Sequence, residues 1–195
     1  ISPSAPEILD VSVDVNGRSV ITWNSTSIDA EVFVVYIQGE NGGWLTLDTV
    51  YSPDNTYLYN LSNADNIYET FRIRALDSCE NSSSASLRHN SINIETELDP
   101  CDFTVKLKWN EYINILGGLY RYKLYVNESD PNGNINNLII DLSNNIQSYV
   151  LDNINEGSNY EIYVSAVNGD STIYANSNRI NQNIDFPNKP IYNYI

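Results

Sequence analysis

The chain has no methionine, one histidine and two cysteines among its 195 residues. A lone imidazole and two thiols leave little metal or redox chemistry to assemble. His89 stands in His89-Asn90-Ser91, with no Ser-His-Asp or Cys-His pattern around it. Neither catalysis nor a metal or cofactor is therefore expected. Basic residues are scarce too: ten Lys and Arg face 25 Asp and Glu, a formal net charge of −15. Phosphate recognition rests on fields of Lys and Arg, so nucleic acid is not an expected partner. An anionic membrane surface would repel the chain. No apolar run approaches the ~18 residues of a membrane span, and no signal peptide opens the sequence. Lacking even an initiator Met, the sequence reads as a segment of a longer polypeptide.

What is present points to strands. Hydrophobic residues make up 42% of the chain, enough to fill packed cores. Apolar and polar residues alternate with period two, and no segment carries a 3.6-residue apolar stripe. The first half offers EILDVSVD (7–14), RSVITW (18–23), VFVVYI (32–37), WLTLDTV (44–50), TYLYNL (56–61), TFRIRAL (70–76) and SASLR (84–88). Asn16-Gly17, Asn41-Gly42-Gly43 and Pro53-Asp54-Asn55 separate them as turns. Asparagine, 29 residues, fills such turns together with Ser and Asp. Seven short strands at this spacing predict an antiparallel sandwich.

The second half repeats the first. INIETEL (92–98), FTVKLKW (103–109), LYRYKLYV (119–126), NNLIIDL (136–142), QSYVL (147–151), NYEIYVSAV (159–167) and a strand near 173–180 follow in the same order. Trp23-Asn24 recurs as Trp109-Asn110, FVVYI (33–37) aligns with YKLYV (122–126), and RIRAL (72–76) with YVSAV (163–167). The expected organisation is all-β, two sandwich modules at 1–91 and 92–195, the second followed by a linker to a further domain. DPNGNINN (130–137) reads as a hairpin turn. As a calcium loop it has Gly133 fourth instead of sixth and no Glu at the twelfth position.

These residues resemble fibronectin type III modules. The resemblance implies that Trp23 and Trp109 are core residues and that Tyr160 is a corner tyrosine. The penultimate-strand pattern appears as Tyr160, Ile162, Val164 and Ala166, with Gly157 in the turn before it. In the first half Glu69 takes the corner position and Tyr68 sits one residue early. A buried phenol needs a partner for its hydroxyl, and nearby backbone supplies one.

A second resemblance spans most of the chain. SVDVNGRSVITW (12–23), RALDSCENSS (74–83), LDPCDFTVKLKWNEYIN (98–114) and DFPNKPIYNYI (185–195) are similar to paired modules in large cell-surface proteins of gliding Bacteroidota. In that family such modules commonly precede a sorting domain of the type IX secretion system. The resemblance implies an extracellular, non-catalytic spacer that presents or orients neighbouring domains of the same polypeptide, in adhesion or gliding motility. The alternative is a module binding carbohydrate or a protein of the secretion or outer-membrane machinery, favoured by an exposed aromatic cluster on one sheet face. It also implies O-glycosylation at Asp-Ser/Thr sequons. Asp48-Thr49-Val50 and Asp170-Ser171-Thr172 fit, making Thr49 and Ser171 candidates.

Export supplies an oxidising compartment, and Cys79 and Cys101 are expected to form a disulfide. An extended chain would hold positions 22 apart at roughly 70 Å, whereas a disulfide needs Cα atoms about 5.5 Å apart. Pairing therefore requires a reversal near Asn90, folding the second module back beside the first. The alternative is two unpaired thiols in modules strung end to end. In VFVVYI the outward set Val32, Val34 and Tyr36 is also apolar, so an intermodule or partner cover is expected there. The equivalent strand of the second half turns Arg121, Lys123 and Tyr125 outward, an ordinary solvated surface.

Overall fold

A computed structural model of the chain describes residues 2–25 and 27–186. The closing stretch 187–195, part of one segment that carries the second resemblance, lies outside them. The elements are β1 (Glu7–Val13), β2 (Ser19–Asn24), β3 (Val32–Gln38), β4 (Trp44–Tyr51), β5 (Thr56–Leu58), β6 (Thr70–Leu76) and β7 (His89–Asn90). The second half contributes β8 (Ile94–Asp99), β9 (Thr104–Trp109), β10 (Leu119–Ser129), β11 (Ile135–Ser143), β12 (Ser148–Leu151), β13 (Asn159–Asn168), β14 (Tyr174–Asn176) and β15 (Ile180–Asn183). The first module pairs β1-β2-β5 against β4-β3-β6-β7. The second pairs β8-β9-β12 against β11-β10-β13, with β14 and β15 both on β13. All ladders between named strands are antiparallel. The chain is two antiparallel β-sandwiches in tandem.

Alternation decides which residues fill each core. One cluster gathers Ile8, Val11, Ile21, Trp23, Phe33, Val35, Phe71, Ile73 and Ala75. The other gathers Ile92, Ile94, Val105, Leu107, Trp109, Tyr122, Leu124, Ile162, Val164 and Ala166, among others. The two tryptophans are buried in equivalent places, each against an aromatic from the next strand. Trp23 meets Phe33 edge-on at 5.5 Å, and Trp109 meets Tyr122 at 5.8 Å. Phe33 and Tyr122 are themselves aligned positions of the repeat.

Corner chemistry differs between the halves. Tyr160 is buried; its hydroxyl accepts the Asn155 N–H at 3.0 Å and donates to Glu128 at 2.9 Å. In the first module the buried Glu69 carboxylate does this work. It accepts from the Asn63 N–H (2.9 Å) and from the hydroxyls of Ser19 (2.7 Å) and Ser62 (2.6 Å). Tyr68, more than half exposed, has no such role.

The last strand of the first module departs from a regular ladder. Residues 82–88 run along β6 without forming a named strand. Serine hydroxyls stand in for part of the pairing: Ser83 and Ser86 accept the N–H groups of Ala75 and Ile73. Ser177 does the same for Val164 in the second module. Of DPNGNINN, residues 130–134 form the turn between β10 and β11 and the rest opens β11. Asp130 accepts the N–H groups of Asn132 and Asn134, and Gly133 has φ +82°.

Candidate functional site

The feature that most distinguishes this pair is its joint. Residues His89 to Ile94, which connect the modules, are all buried. Their backbone polar groups must then find partners within the protein, and asparagine side chains supply many of them. Asn110 accepts the Asn93 N–H (2.8 Å) and donates to the Ser91 carbonyl (3.0 Å). The Asn90 amide donates to the Glu111 carbonyl (2.8 Å), while its oxygen accepts the Ile113 N–H (3.0 Å). Asn93 donates to the Ala64 carbonyl at 3.0 Å. Asn178 accepts the Ile94 N–H (2.7 Å) and reaches the Asp65 carbonyl (3.3 Å).

Tyr112 is the keystone of this arrangement. Its own N–H donates to the Tyr122 hydroxyl at 2.9 Å, so the second module's core holds the loop that carries it. Its side chain is fully buried, and its hydroxyl accepts the Val11 N–H of β1 at 2.8 Å. The His89 ring lies edge-on to it, with Nδ1 at 3.4 Å from the same hydroxyl. Ser12 adds a further link, accepting the Asn176 N–H at 3.2 Å.

Burial shifts the titrating groups here. Desolvation raises the Asp10 carboxyl to about 6, partly offset by the Ser12 hydroxyl. Burial lowers the His89 imidazole to about 4, leaving it neutral near pH 7. The Tyr112 phenol is pushed well above its usual value, chiefly by burial and then by the charge of Asp10. A groove of about 690 Å³ runs beside the joint, between the start of β1, residues 85–89 and the loop 114–119.

The expected disulfide is corrected by this path. Cys79 and Cys101 are free and exposed. There is no reversal at Asn90, which instead pairs with Thr70 as part of β7. Cys79 lies in the turn beyond Leu76, at the end of β6 remote from the joint. Cys101 lies in the turn between β8 and β9, at the remote end of the second module. With roughly 3.3 Å per extended residue, each thiol stands some 20–35 Å from the joint along its strand. Bonding distance is out of reach.

The expected intermodule cover for Val32, Val34 and Tyr36 is also corrected. The joint is made by β1, β7, the connector and loops, with β1 beside β14. The outer face of β3 is shielded by arginines of its own sheet. Val34 stands opposite Arg74, and Tyr36 opposite Arg72. Long arginine stems cover apolar surface while keeping their charge in water. Arg72 Cζ lies 4.4 Å from the Trp44 ring centroid, and Arg74 Cζ 5.9 Å from that of Tyr36. On the second module, Tyr125 and Tyr163 stack at 4.5 Å with Arg179 over Tyr163.

Thr49 is exposed on β4, and Ser171 sits partly buried with φ +60° in the turn between β13 and β14. Among the described residues, no group of three or more His, Cys, Asp and Glu is arranged to hold a metal ion.

No family profile and no curated protein matches the chain. Among solved structures it is similar to the FN1–FN3 domains of chicken CNTN1, with 18% identity over 95% of this chain and 67% of that one, at a TM-score of 0.38. It is also similar to a segment of two fibronectin type III domains from chicken tenascin, with 12% identity, coverage of 93% and 98%, and a TM-score of 0.35.

Proposed function

We propose that this module pair is a non-catalytic spacer that fixes the relative orientation of its neighbours in an exported, cell-surface polypeptide. One observation carries the reading: the connector is buried and hydrogen-bonded on both sides. A flexible linker would be exposed and rich in Gly or Ser; this one has neither property. Holding one angle requires contacts between modules that outlast thermal motion, and a buried network of side chain–backbone bonds provides them. The single histidine is buried against Tyr112 within that network, which supports a structural role. Export and a place in adhesion or gliding rest on the sequence resemblance. The surplus of 15 negative charges suits a soluble, mutually repelling surface.

Residual dipolar couplings on the whole chain test the reading. One alignment tensor is expected to fit the amides of both modules. Two tensors of different magnitude would show independent motion and overturn it.

A further inference from the structure

The equivalent outer faces of the two modules handle their cations differently. On the second module the positive charges are matched internally. Asp141 pairs with Arg121 at 3.4 Å and Lys123 at 3.6 Å, and Glu161 pairs with Arg179 at 2.7 Å. On the first module Arg72 and Arg74 project from β6 with no ion pair or side-chain hydrogen bond among the described residues. They stand at i and i+2 on one strand face, roughly 7 Å apart. Two like charges side by side are unfavourable unless something answers them.

The surroundings are shaped for an occupant. Tyr36, Trp44, Arg72, Arg74 and Ala85 line a shallow cavity of about 150 Å³. Ala85 is small, so the side away from the aromatics stays open. A guanidinium stacked on a ring uses its face and leaves its in-plane N–H edge free for a two-pronged carboxylate contact. Arg72 Nε is covered and meets no acceptor, so packing holds the group instead of hydrogen bonds.

We infer that the Tyr36–Trp44–Arg72–Arg74 face of the first module binds a carboxylated glycan, a uronate unit lying against the aromatics with its carboxylate on the arginines. Charge complementarity selects an acidic ligand. The sheet selects a glycan over a peptide. Tyr36, Arg72 and Arg74 stand on the interior strands β3 and β6, so a ligand lying on this face meets side chains and not the backbone edge that strand addition needs. Flat aromatic rings and forked guanidinium groups suit the apolar C–H face and the carboxylate of such a sugar. This goes beyond the spacer reading and fails independently of it.

The test is binding of the 195-residue chain to polygalacturonate at 150 mM NaCl, measured by calorimetry. Arg72→Gln and Arg74→Gln are each expected to weaken binding by at least about tenfold, as loss of a charge-assisted contact implies. Arg72→Lys, which keeps charge but loses the fork, should also weaken it. Lys108→Gln removes the same charge elsewhere and should leave binding unchanged. Unaltered circular dichroism in the variants establishes that the fold is intact. The inference is overturned by no binding of the unmodified chain, by an equal loss with Lys108→Gln, or by equal binding of dextran sulfate or poly-glutamate.

Discussion

Replacing Tyr112 by Phe removes one oxygen from the middle of the joint and leaves the ring in place. The Val11 N–H, 2.8 Å from that oxygen and inside a fully buried residue, then has no partner. An orphaned buried donor costs about 1–3 kcal/mol. If local opening of the joint becomes easier by that amount, the Val11 amide should exchange with solvent roughly 5- to 150-fold faster. The Ile73 amide, which donates to the Ser86 hydroxyl within the first module, serves as an internal reference and should keep its rate. Native-state hydrogen exchange by NMR reads both sites in one experiment. An unchanged Val11 rate would refute the claim that Tyr112 clamps the modules. Equal acceleration at Ile73 would show general destabilisation instead.

Three further outcomes are expected. Ellman's reagent should titrate two thiols per native chain without reductant; none reacting until reduction would restore the disulfide. Glu69→Ala strands the Asn63 N–H and two serine hydroxyls and should cost about 2–4 kcal/mol in urea unfolding, whereas Tyr68→Ala should cost under about 0.5 kcal/mol. The third concerns pH. Asp10, raised from 3.8 to about 6, favours its protonated form in the fold, so its contribution falls as pH rises between those values. His89, lowered from 6.5 to about 4, favours the neutral form, so its contribution rises over nearly the same window. At 1.36 kcal/mol per pH unit each amounts to about 3 kcal/mol, and they oppose each other. Relative to the unmodified chain, Asp10→Asn should make stability climb more steeply from pH 4 to 6.5, and His89→Gln should make it fall. Parallel curves for all three proteins would refute this balance.

Strand positions were legible in the sequence because period-two alternation is a direct image of burial on a half-covered sheet. Thus TFRIRAL (70–76) became β6 with unchanged bounds, and both tryptophans fell into equivalent cores. SASLR read as a strand, yet Ser83 and Ser86 replace part of its ladder with hydroxyl bonds, because serine competes with backbone pairing. The joint was hidden for a related reason. Asn90, Asn93, Asn110 and Asn178 have the composition of turn residues, and only tertiary context shows their amides bridging two modules. Asn24 and Asn110 each follow the core tryptophan of their half, yet Asn24 is exposed and Asn110 is engaged in the joint. That divergence between repeats was the available signal. The reversal inferred at His89-Asn90-Ser91 failed because turn-forming residues need not turn when their side chains have other partners.

Much of the joint has a direction. Tyr112, Asn93 and Asn178 belong to the second module, but on the first they grip main-chain atoms: the Val11 N–H and the carbonyls of Ala64 and Asp65. Asn114 likewise holds the Arg88 carbonyl. Every residue type except proline offers the same N–H and C=O. The first module can therefore drift in sequence at these points without losing its grip on the second, provided its backbone path persists. The second module cannot. In a lineage of such pairs, the first module's side chains are free to vary at these contacts, while its own grips on the second module, Asn90 and Ser12, are not.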